Sequence, residues 1–113
     1  MPNNTPRHAT LLTKLNEIRE QLNFAEARLP VALRVAEQHA SFVYFSTVDN
    51  KITLLSKSPH HTTALLYALA AENLHLNHTY TDITNNALVS LYTTDGIAIY
   101  ESISPEAARN AMS

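Results

Sequence analysis

The 113-residue chain has no cysteine, no tryptophan and a single glycine, Gly96. Without thiols there is no disulfide, no thiolate nucleophile, no cysteine-ligated zinc and no iron–sulfur cluster. One glycine cannot build a P-loop or a dinucleotide-binding turn, each of which needs two or more. Nor can it supply the flanking glycines of a nucleophile elbow. Charge of neither sign dominates: 8 Lys+Arg against 10 Asp+Glu leave a net charge of -2. A domain dedicated to nucleic acid carries a basic surplus to meet phosphate, and this chain has none. No apolar run approaches the roughly 20 residues of a membrane span. The segment from Met1 to His8 is polar and lacks the apolar core of a signal peptide, so the expected compartment is the cytoplasm. Two glycosylation-type triplets, Asn3-Asn4-Thr5 and Asn77-His78-Thr79, are then read as coincidences of a chain rich in Asn and Thr.

What is present is a hydrophobic content of 45 %, ordinary for a globular chain, in a length that suits one domain over residues 1–113. Residues 1–7 read as a flexible tail. Leu11, Leu12, Leu15, Ile18 and Leu22 then recur at helical spacing, with Lys14, Glu17, Arg19 and Glu20 on the other side. This predicts an amphipathic helix over about 8–23 within a helical segment 8–40. Pro30 divides that segment into two helices in tandem or kinks a single one.

The period then changes from helix to strand. Residues 41–48 and 51–56 are dense in β-branched and aromatic side chains, and Asp49-Asn50 between them suits a tight turn. Ser58-Pro59 reads as a helix cap and first turn, with the helix expected to run to Leu76. After a polar connection, 77–86, the same grammar returns. Residues 87–94 form a strand, Asp95-Gly96 is the strongest hairpin signal in the chain, and 97–103 form the return strand. Ser104-Pro105 then caps a short helix. The units 41–76 and 87–112 match at an offset of 46, with turn and cap at equal distances, although any two hairpin–helix units of this strand length would match in that way. The expected fold is therefore α+β: a four-stranded, mainly antiparallel sheet from two ββα units, preceded by one or two N-terminal helices.

A two-residue turn at Asp49-Asn50 would set Val48 opposite Lys51. It groups Val43, Phe45, Ile52 and Leu54 on one face and Phe42, Tyr44, Thr53 and Leu55 on the other. In the second hairpin Val89, Leu91, Ala98 and Tyr100 oppose a face of Leu88, Tyr92, Ile97, Ile99 and Ile103. Neither hairpin has a polar face, so both sheet faces are expected to be covered, by the chain's own helices in three layers or by another polypeptide.

For chemistry, Glu72 and His75 have the Glu-x-x-His spacing of carboxylate-bridged metal sites, with His78 nearby. The carboxylates that would complete such a site are missing, and a solvated helix end explains the three residues as well. His60 and His61, in the first turn of a helix, are a weaker candidate pH switch. Arg7, Lys14, Arg19, Arg28 and Arg34 fall in the N-terminal helices, but Glu17, Glu20, Glu26 and Glu37 alternate with them, as on a solvated helix face.

The reading left is a small non-enzymatic protein without cofactor that acts by protein–protein contact. Inhibitors, immunity or anti-defence proteins of a phage or mobile element, and chaperone-like adaptors are of this kind. Its partner would be another protein or its own copy. The interface candidates are Phe42, Tyr44, Leu55, Tyr92, Ile97, Ile99 and Tyr100, since aromatic residues dominate interface hot spots. The alternatives are a nucleic-acid-associated regulator using the basic residues of the N-terminal helices and, after it, a metal-dependent enzyme using Glu72, His75 and His78.

Overall fold

A computed structural model describes residues 6–104, with side chains from His8 onward. It is α+β. Helix α1 (Pro6–Gln38) leads into β1 (Val43–Ser46) and β2 (Lys51–Ser56). Helix α2 (Pro59–Ala70) follows, then β3 (Asn77–Thr84), β4 (Ala87–Thr94) and β5 (Ile97–Ile103). The sheet has five strands in the order β1-β2-β5-β4-β3. All neighbours are antiparallel except β2 and β5, which run parallel at its centre. The expected four-stranded, mainly antiparallel sheet is thus corrected to a five-stranded mixed one. The C-terminal helix expected after Ser104-Pro105 lies outside the described residues.

Helix α1 is continuous through Pro30, so neither a break nor a second helix is present. Proline removes one helical hydrogen bond there. Ala25, Val31, Ala32, Val35 and Ala36, on both sides of it, hold the helix to the sheet. Both helices end in the same way. Ala40 (φ 50) and Asn73 (φ 64) adopt the left-handed conformation, and the following amides, Ser41 and Leu74, donate to the carbonyls of Ala36 and Leu69 at 2.9 Å. This Schellman closure satisfies carbonyls at the helix end. It stops α2 at Ala70, six residues short of the expected Leu76, because the apolar stripe continues through Asn73 whereas the backbone does not. At the other end of α2 the Ser58 hydroxyl accepts the His61 amide at 3.1 Å, the expected cap.

Strand β3 occupies the stretch expected to be a polar connection. Every one of its residues is exposed, so no buried-face alternation marks it, and it is held by its ladder with β4. Its turn is Asn85-Asn86, with φ 51 and 63. Two consecutive positive φ values are the type I′ geometry that twists with a hairpin, and Asn tolerates them. In the first hairpin the turn takes four residues, 47–50, and pairs Ser46 with Lys51 and Phe45 with Ile52. That register differs from the expected one by two residues, an even slip, so each side chain keeps its face. The β4–β5 register is the expected one, with Thr94 opposite Ile97 across Asp95-Gly96.

The parallel join aligns Ile52 with Ile97 and Leu54 with Ile99. These four pack with Leu65 and Leu69 of α2 and the apolar face of α1 in one core. Both helices therefore cover the same sheet face, giving two layers where three were considered. The join also turns one hairpin over relative to the other. Val43 and Val89, matched by the 46-residue offset, lie on opposite faces, since Val43 pairs through Leu54 to Ile99 while Val89 pairs with Ser102. Tyr44 consequently points away from the helices, whereas Tyr92, paired with Ile99, points toward them.

Candidate functional site

The face of the sheet opposite α1 and α2 is not covered by any described element. Its centre consists of small buried residues, Thr53, Val89 and Ala98. Larger side chains stand around them, and an open hollow of about 420 Å³ is lined by Tyr44, Tyr80, Leu91, Tyr100, Asp49 and their neighbours. Each tyrosine arrives from a different strand. Tyr44 comes from β1, Tyr100 from β5 beside Leu55, and Tyr80 from β3 opposite Leu91. Tyr44 and Tyr80 remain 36 % and 44 % exposed. Phe42 extends the patch, with its ring centre 6.4 Å from that of Tyr44.

The electrostatics of the hollow favour donors. Burial, then the nearby Tyr100, Asp49 and Tyr80, raises the Tyr44 phenol above its ordinary 10.0. Tyr44 is therefore a neutral hydroxyl at physiological pH. Asp49 Oδ1 is enclosed without a hydrogen-bond partner among the described residues. Lys51, two residues on, donates to the Thr94 carbonyl at 3.0 Å.

The seven interface candidates thus divide. Phe42, Tyr44, Leu55 and Tyr100 belong to the open face. Ile97 and Ile99 are fully buried in the core under the helices, which corrects their assignment to a surface. Tyr92 lies on the helix side of the sheet, half-buried. It packs against that core, its ring centre 5.1 Å from that of His78, and burial, then Glu101, raises its phenol above 10.0. The sequence pattern offered two hairpin faces of similar character, and the parallel join decided which of them met. Tyr80 was missed because β3 read as a connection.

Glu72, His75 and His78 are not brought together. Asn73 ends the helical geometry on which the spacing argument rested. Glu72 pairs with Arg34 at 2.8 Å, His75 lines a hollow with Leu66 and Tyr67, and His78 sits on β3 with Nε2 2.7 Å from the Thr81 hydroxyl. No group of three metal-binding side chains occurs among the described residues. His61 Nε2 lies 2.8 Å from the His39 carbonyl, linking α2 to the end of α1. Of the basic residues of α1, Arg34 is paired as above and Arg28 donates to the Asp95 carbonyl at 3.2 Å. Both tie the helix to its own domain.

One polar cluster was not legible as chemistry. Glu101, Thr62 and Ser56 are buried beneath α2. Thr62 Oγ1 hydrogen-bonds the Glu101 carboxylate and lies 2.6 Å from Ser56 Oγ, which in turn donates to the Ser58 carbonyl at 3.0 Å. The cluster clamps the start of α2 onto β2 and β5. Its signal was parity: Glu101 shares its strand face with Ile97, Ile99 and Ile103. Thr62→Val keeps the shape and removes the donor from a buried carboxylate, so it should lower stability by about 2 kcal/mol in urea melts. An unchanged midpoint would show that the clamp contributes nothing.

No helix of the described residues is long and apolar enough to cross a membrane. Comparison of the chain with protein-family models, with curated proteins and with solved structures finds no match.

Proposed function

We propose that this is a non-catalytic protein that acts by contact, in the manner of an inhibitor, an immunity or anti-defence protein, or a chaperone-like adaptor. The observation that carries the reading is the open sheet face, where three tyrosines from three strands surround a hollow that the described chain leaves bare. Tyrosine supplies a large apolar ring with a polar tip and few rotamers to freeze, which suits a binding surface. Asp49 sets an acidic residue at its edge, so a cationic group on the partner is favoured.

Tyr44→Ala tests the reading. It should weaken association with the polypeptide bound at this face by about 1 kcal/mol or more, roughly fivefold, while leaving a folded chain of nearly unchanged melting temperature. A stability loss of about 3 kcal/mol with association unaltered would instead assign the ring to the fold.

A further inference from the structure

Helix α1 is two helices in its surroundings. From Phe24 onward it rests on the sheet. From His8 to Asn23 every residue is exposed. The overhang is visible in the dimensions: the radius of gyration is 17.2 Å, against about 13 Å for a compact chain of this length. Yet the overhang is not polar. Leu11, Leu15, Ile18 and Leu22 are spaced by four, three and four residues and are between 37 % and 58 % exposed. This is the a/d rhythm of a two-helix seam. Ala25, Leu29, Ala32 and Ala36 continue the same rhythm, the three alanines buried against the sheet and Leu29 39 % exposed. One seam thus runs the length of α1, covered at its alanines in the second half and bare throughout the first. Four large apolar side chains in a row on one exposed helix face form a contiguous apolar stripe of the kind that marks a contact surface.

We infer that the cover is a second copy of the same stretch, packed antiparallel. A two-fold axis between Asn16 and Glu17 sets Leu11 opposite Leu22 of the other copy and Leu15 opposite its Ile18. All four seam residues then meet an apolar partner, each a position facing a d position. The overlap ends at Ala25, where the helix is already occupied by its own sheet. Charge selects the same direction. In a parallel pair the flanking positions place Lys14 beside Arg19 of the other chain, on both sides of the seam. In the antiparallel pair Lys14 lies beside Gln21, and Arg19 lies beside Leu12, which its aliphatic stem can cover. The pairing leaves the tyrosine face of each copy free, so it does not rest on the reading of that face.

The test uses the full chain. Sedimentation velocity should give a species of twice the 12.6 kDa chain mass. Ile18→Glu should weaken that association at least tenfold and sediment as a single chain, with the thermal unfolding of the sheet domain retained. Because the chain has no cysteine, direction can be read by cross-linking. An equal mixture of Leu11→Cys and Leu22→Cys chains should form the mixed disulfide on mild oxidation, while Leu11→Cys alone should not. A wild type that stays single at several hundred micromolar overturns the inference. A disulfide between two Leu11→Cys chains overturns the antiparallel register. A double-mass species abolished by Tyr44→Ala and not by Ile18→Glu also overturns it, while leaving the contact reading of the sheet face intact.

Discussion

Gly96→Ala is expected to destabilise the protein by about 3 kcal/mol or more, lowering the melting temperature by roughly 12 °C. Gly96 is at φ 82, where an L side chain is strained, and an added Cβ would stand 2.4 Å from the carbonyl carbon and oxygen of Phe24 and 2.8 Å from the Ala25 amide nitrogen. Those are backbone atoms of α1 at the point where the helix first meets the sheet, and they cannot rotate away. The helix and the β4–β5 turn would have to separate. That would also strain the Arg28 bond to the Asp95 carbonyl and the bond from Asn50 to Gln21. Equilibrium urea unfolding checks this, and a loss below about 1 kcal/mol would mean that the helix does not seat on the turn.

The second large effect is a contrast between adjacent residues. Leu54→Ala should cost about 3–4 kcal/mol, since the side chain is fully buried between both helices and its strand neighbours Val43 and Ile99, and truncation there leaves a cavity. Leu55→Ala, one residue on, should cost under about 1 kcal/mol, because Leu55 is on the face that no described element covers. Chemical denaturation of the two variants side by side measures the asymmetry of the sheet. Equal losses would mean that both faces are packed.

Local chemistry was legible where one residue type determines the backbone. Asp95-Gly96, the Ser58-Pro59 cap and the faces within each hairpin follow from the sequence because φ preference and period-two alternation act over a few residues. Relations between units were not legible. Nothing in residues 51–56 or 97–103 states that the two strands pair in parallel, since a fully buried central strand is apolar on both faces. That one join decided that Tyr44 points away from the helices and Tyr92 toward them. Strand β3 escaped notice because its exposed residues carry no hydrophobic pattern, although Asn85-Asn86 was a usable turn signal beside a stretch of Thr, Tyr and Ile. The Glu72-x-x-His75 spacing misled for the opposite reason. It presupposed a helix that Asn73 terminates, which period counting over leucines does not register. Glu101 carried a usable signal in its parity with three isoleucines, which placed it inside.

The tyrosine face should be bare in the isolated chain and covered when the protein acts. Hydroxyl-radical footprinting compares the two states, on the purified chain and on the same chain in fresh extract of the cells that make it. Tyr67, 74 % exposed on the outer side of α2, serves as the internal reference. Tyr44 and Tyr80 should be modified in the purified chain and protected in the extract, with Tyr67 labelled alike in both. Equal labelling of Tyr44 and Tyr80 in the two samples, relative to Tyr67, would contradict it.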